Sequence, residues 1–116
     1  GLVCFYATQY IKRVLKIDDS LDVFPVHGVG GITGSLLTGV FAASSLGGLG
    51  LADGVSIMDQ VGVQALAVGV TIVWSAVFSF VILKIIDIFI GLRVSGDEEV
   101  EGLDIVLHEE TGYHNL

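Results

Sequence analysis

Asp22-Val23-Phe24-Pro25-Val26-His27-Gly28-Val29-Gly30-Gly31-Ile32-Thr33-Gly34 sets one histidine at the head of a long, uncharged, glycine-rich run. From Val23 to Ala52 no Asp, Glu, Lys or Arg occurs, so His27 is the one side chain in that run that titrates near neutrality. An ionisable group inside an apolar run of membrane length is costly to desolvate and faces a pathway or a partner rather than lipid. The pattern indicates a membrane protein with a polar site.

Composition agrees: 53% of residues are hydrophobic, 16% are charged and 16 are glycine, with a mean hydropathy of +0.82. A soluble chain of this balance would expose far more apolar surface than is usual, whereas membrane helices use glycine for close helix contact. The chain opens directly on the apolar run from Gly1 to Ala7 with no basic segment before it, which argues against a signal peptide and for a segment cut in mid-helix. The single cysteine, Cys4, has no partner for an internal disulfide and no metal-ligand spacing, and is read as packing. The net charge of −8 belongs to a tail, because seven of the 13 acidic residues lie in the last twenty positions. With only five Lys and Arg, nucleic acid is not expected as a partner.

Three apolar segments predict an all-α, multi-pass transmembrane fold. The first, Gly1 to about Ile11, is too short to cross a bilayer and stops at Lys12-Arg13-Val14-Leu15-Lys16. The second begins near Asp22 to Val26 and runs to about Ala43, with Gly30, Gly34 and Thr38 forming a small-residue face and Pro25 in its first turn or at a kink. A glycine-dense loop follows from Ser44 to Gly54. The third segment is uncharged from Gln60 to Leu83, with a possible extension past Lys84 and Asp87 to Gly91. Residues 1–95 thus form a membrane body and 96–116 an acidic tail. Lys12, Arg13, Lys16, Lys84 and Arg93 fall on one side of two spans, which the positive-inside rule assigns to the cytoplasm together with the tail.

His27 shares a helical face with Gly31, Gly34 and Ser35 and admits two readings from spacing alone: a neutral imidazole lining a narrow path, or a satisfied interhelical histidine. Asp22 is read as a helix cap in preference to a carboxylate supporting the pore at His27. Trp74, Phe78, Phe80 and Phe89 are read as packing. Gly28 to Gly34 lacks the last glycine of a dinucleotide fingerprint, since Thr33 stands there, and His108 to His114 has the wrong spacing for a zinc-protease helix. No cofactor, metal or catalytic constellation is predicted. In the tail, Gly102-Leu103-Asp104 offers a docking turn, with Leu103 as apolar anchor and Asp104 as a cap or an ion-pair acceptor for Lys12 or Arg13. So acidic a segment, with few aromatics, is expected to order only against the rest of the protein.

These residues resemble the Amt-type ammonium transporters. Asp22 to Gly31 is similar to the start of that family's tenth transmembrane helix, and Phe41-Ala42-Ala43-Ser44-Ser45-Leu46-Gly47-Gly48 to the outer loop after it. Thr71-Ile72-Val73-Trp74-Ser75 resembles the eleventh helix, while Gly91-Leu92-Arg93-Val94 and Glu101-Gly102-Leu103-Asp104 resemble the cytoplasmic C-terminal region. The resemblance implies a homotrimeric, channel-like protein of eleven helices in the cell membrane, in which ammonium loses its proton and ammonia crosses a hydrophobic pore lined by two histidines. His27 matches the second; the first, an aromatic gate and an outer recruitment site would lie on earlier helices. On that reading the chain holds the end of helix nine, helices ten and eleven, and a tail near which a PII-type signalling protein can dock and block the pore. Pro25 stands where some members have glycine, and Glu109 replaces a glycine that often follows the tail histidine. The rival from another class is a small membrane anchor whose acidic tail recruits a soluble partner, with His27 purely structural.

Overall fold

Helix α1 (Leu2–Tyr10) runs on into a π-helical turn, Ile11–Leu15, which Lys16 closes in the left-handed region at φ 52°. The computed structural model describes residues 1–110; Thr111 to Leu116, with Tyr113 and His114, lie outside the described residues. Two compact units divide the chain, Gly1–Ser75 and the remainder from Ala76. No strand occurs among the described residues, in keeping with the all-α expectation.

In the first unit the chain turns back after Lys16, and a second π-helical turn, Phe24–Val29, leads into α2 (Gly30–Phe41). Pro25 is fully buried in the first turn, where its absent N–H leaves no helical hydrogen bond unmade. Helix α1 packs on this turn and on α2. At Gly30 the approach is tight enough that a Cβ would lie 3.0 Å from Cys4 Sγ, so Cys4 does pack between helices. The second predicted span is therefore a composite of six π-helical and twelve α-helical residues. Among the described residues, only Ile57–Phe89 is a single helix long and apolar enough to cross a membrane.

The loop after α2 is drawn tight against the helix end. Gly50 N–H donates to the Ala42 carbonyl at 2.9 Å and Gly48 N–H to the Ala43 carbonyl at 3.0 Å, and any Cβ on Gly48 would collide with the Ala42 backbone. A capping box then starts the next helix: Ser56 Oγ accepts the Asp59 N–H at 3.2 Å while the Asp59 carboxylate accepts the Ser56 N–H at 3.0 Å. Helix α3 (Ile57–Phe89) has 33 residues, none of them buried. At the usual rise it is about 50 Å long, well beyond a hydrocarbon core of roughly 30 Å.

Helices α2 and α3 meet at Gly39, where a Cβ would stand 2.8 Å from Gln64 Cγ and 3.4 Å from both Gln60 O and Val61 Cα. One turn earlier on α2, the Ser35 carbonyl accepts the Gln64 side-chain amide at 2.9 Å. The predicted small-residue face is thereby divided. Gly30 serves α1, Gly34 looks into open space, and the Thr38 hydroxyl turns back onto the Gly34 carbonyl at 2.8 Å. The contact with α3 falls on Gly39 instead.

In the second unit α3 ends at Phe89, and two residues on, Gly91 turns the chain at φ 87°, a conformation that favours glycine. Two short helices follow, α4 (Gly96–Glu101) and α5 (Leu103–His108). Ser95 and Glu98 form a reciprocal capping box, and the Arg93 guanidinium grips both carboxylate oxygens of Glu99 at 2.8 and 3.1 Å. The Ser95 hydroxyl and N–H hold the Glu98 carboxyl below its ordinary range, and the Arg93 fork does the same for Glu99. These local hydrogen bonds cap the start of α4. Gly102 separates α4 from α5 at φ 104°.

The close approach at Gly39 yields a direct expectation. Gly39→Leu drives a side chain into Gln64 and the α3 backbone, and overpacking of this kind costs about 1–3 kcal/mol. The melting temperature of the detergent-solubilised protein is expected to fall; an unchanged value would mean that the two helices do not depend on contact at this point.

Candidate functional site

His27 lies one turn into the π-helical segment Phe24–Val29, a helix form that occurs chiefly as single turns and frequently at functional sites. Three carboxylate and carbonyl contacts fix where this segment begins. The Asp19 carboxylate accepts the Val23 N–H at 2.9 Å and the Phe24 N–H at 2.8 Å, while the Asp22 carbonyl accepts the Val26 N–H at 3.0 Å. The side chain that caps the helix is therefore Asp19 and not Asp22. Asp22 sits in the left-handed region at φ 55°, and its carboxylate pairs with the Lys12 ammonium at 2.7 Å. Its Oδ1 is shut off from solvent and meets the ammonium as an ion pair rather than in hydrogen-bond geometry. The Lys12 ammonium is thereby engaged within the first unit.

From His27 the two helices enclose a cleft of about 550 Å³, entirely within the first unit. One wall carries Phe24, His27, Gly31 and Ser35, and the other carries Gln64, Ala67, Thr71 and Ser75. The Gly31 and Ser35 positions predicted to share a face with His27 are thus in the cleft, and Gly34 is not. Much of the polarity of the far wall is spent internally: the Thr71 hydroxyl donates to the Ala67 carbonyl at 2.8 Å, and the Gln64 amide donates to Ser35 O. His27 is the one titratable side chain lining the cleft. Neutral imidazole presents one donor and one acceptor to a solute in such apolar surroundings, where a bare charge is costly.

Asp19, Phe24 and Gln64 were not singled out from the sequence, and Lys12 was not paired with Asp22. The paired Asp18-Asp19 ahead of a proline-initiated apolar run is a capping signal, and Gln64 is a polar residue inside an uncharged span; both signals become specific only when a partner is known. In the second unit, Gly102 forms the predicted turn, Leu103 is partly exposed, and Asp104 occupies the first turn of α5.

The Phe24 and Val23 N–H groups hold the Asp19 carboxyl below its ordinary value of 3.8, with a lesser contribution from Lys12. A depressed carboxyl stabilises the fold while ionised, so its contribution is complete above that value and is lost as the pH falls through the lowered one. The melting temperature of Asp19→Ala is expected to lie below that of the wild type near neutrality, with the gap closing only at pH below about 3.8. A gap unaffected by acid would show that the carboxylate charge plays no part.

Comparison with known proteins joins these features. The sequence model of the Ammonium Transporter Family matches residues 1–113. An ammonium transporter of Bacillus subtilis (strain 168) is 38% identical over 117 residues, covering 99% of this chain and 29% of the relative. Ammonium transporter 1 of Dictyostelium discoideum is 43% identical over 118 residues, covering 100% of this chain and 25% of the relative. An ammonium transporter of Aquifex aeolicus (strain VF5) is 45% identical over 114 residues, covering 97% of this chain and 26% of the relative. The chain spans between 25% and 29% of the length of these relatives. Because the match runs through the His27 segment, the cleft-lining part of α3 and the Gly102 turn alike, this chain belongs to the Ammonium Transporter Family.

Proposed function

We propose that this chain supplies the histidine-bearing C-terminal part of a transmembrane ammonium transporter. The observation that carries the reading is His27 as the one titratable group lining an otherwise apolar cleft. Ammonium sheds its proton before the apolar walls, and neutral ammonia passes His27 by exchanging one hydrogen bond for another. Potassium has no proton to shed and meets no ring of oxygen ligands there, so it pays its full desolvation and is excluded. The process moves a solute and makes no lasting covalent bond, which is transport rather than enzymology.

The same reading assigns a second pore histidine to a helix outside this sequence and places the complete protein in the cell membrane as a homotrimer. Lys12, Arg13, Lys16, Lys84 and Arg93 support a cytoplasmic position for the first connection and for the acidic extension from residue 96. A PII-type regulator is the partner this reading assigns to that face. Support for the trimer and the regulator comes from the family resemblance.

In the complete transporter, His27→Ala removes both the donor and the acceptor. Ammonium-dependent current is expected to fall about tenfold, equivalent to about 1.4 kcal/mol in the barrier. Wild-type current with unchanged exclusion of potassium in that variant would defeat the role of His27.

The turn at Gly102, Leu103 and Asp104 is proposed to couple the tail to conduction. Gly102 has φ 104°, which side-chain-bearing residues rarely adopt, so Gly102→Glu forces the α4–α5 connection into another conformation. Uptake by Gly102→Glu is expected to drop at equal surface abundance. Uptake equal to wild type would show that the turn has no bearing on transport.

A further inference from the structure

A second concavity, of about 600 Å³, adjoins the His27 segment and is bordered by Ile17, Asp18, Asp19 and Val23. It shares three residues with the first cleft: Phe24, His27 and Gly28. These three therefore border both spaces. Phe24 precedes Gly28 by one helical turn, and its ring lies flat enough over Gly28 that a Cβ there would stand 3.1 and 3.3 Å from two ring carbons. The ring is anchored at its own backbone as well, since the Phe24 N–H is held by the Asp19 carboxylate.

Both spaces have mostly apolar walls, which favour a neutral solute, and the Asp19 carboxylate beside the second is engaged by the Val23 and Phe24 N–H groups. We infer that Phe24 is a specificity-determining residue: its ring, seated on Gly28, is the partition beside His27 that sets the size of solute able to pass between these spaces. The inference rests on the reading of this protein as an ammonium transporter. His27 supplies the polar edge of the passage, Phe24 its apolar edge, and Gly28 the bare backbone that lets the ring lie close. Truncating the ring widens the passage while leaving the imidazole in place. Adding a methyl group at position 28 displaces the ring by a few tenths of an ångström without removing it.

The test uses the complete transporter under voltage clamp, with ammonium, methylammonium and potassium as probes and with surface abundance matched. Because one methyl group in a fitted apolar site is worth tenfold or more, Phe24→Ala is expected to raise the methylammonium-to-ammonium current ratio by about threefold or more. Phe24→Leu should raise it less, and Gly28→Ala should change it with Phe24 intact. If Phe24→Ala does not reach the surface, Phe24→Leu and Gly28→Ala decide the matter. A ratio equal to wild type in every variant that reaches the surface overturns the inference while leaving ammonium transport intact. Absence of ammonium current from the wild type overturns the transport reading and this inference together, so the two failures are told apart.

Discussion

The cleft exists because α2 and α3 meet at a residue without a side chain. At Gly39 there is no room for a Cβ between the helices, since one would collide with Gln64, and the Gln64 amide then ties α3 to the Ser35 carbonyl. From that point towards Phe24 and Ser75 the two helices bound an open space lined by both. Close approach at one end and separation at the other is what leaves room for a small solute. A larger residue at position 39 would have to be accommodated by moving the wall on which Ser35, Gly31 and His27 stand.

The second constraint acts at the opposite end of the same wall. A π-helical turn presents its side chains at a different angle from an α-helix, and this one is held in place by charges outside the helix: Asp19 on two N–H groups, and Asp22 on Lys12 of the preceding π-helical turn. Asp22 adopts a left-handed conformation that costs of order 1–3 kcal/mol in a residue other than glycine and persists only where the surroundings hold it. The ion pair and the cap act on adjacent residues, so together they determine where His27 and Phe24 stand. Pro25, buried and unable to donate, lets the segment start without an unsatisfied N–H.

Helix α3 is apolar on every side, with Val73 64% exposed, Ile82 53% exposed and Phe89 81% exposed. A helix of that kind is stable only when surrounded by lipid or by other helices. This is the environment that membership of the Ammonium Transporter Family provides, and the multi-pass, all-α architecture follows from the family. The tail obeys different physics. The Ser95–Glu98 capping box and the Arg93–Glu99 fork are surface features that individually contribute little but together specify where α4 begins.

Much of this was written in the local sequence. The uncharged runs determined which segments are apolar helices, the lone His27 marked a candidate site, and Gly102 marked the tail turn, because hydropathy, ionisability and backbone freedom are properties of single residues. The sequence also carried the family in its ordered motifs. Only the tertiary structure decided that Asp19 and not Asp22 caps the His27 segment, since both are carboxylates within a few residues of the same helix and only their backbone angles separate them. It likewise decided that Gly39, outside the Gly30-Gly34-Thr38 repeat, is the contact with α3, and that Phe24 and His27 line the same two spaces. Each of these depends on which face of one helix meets another, and a helical period cannot state that without the partner.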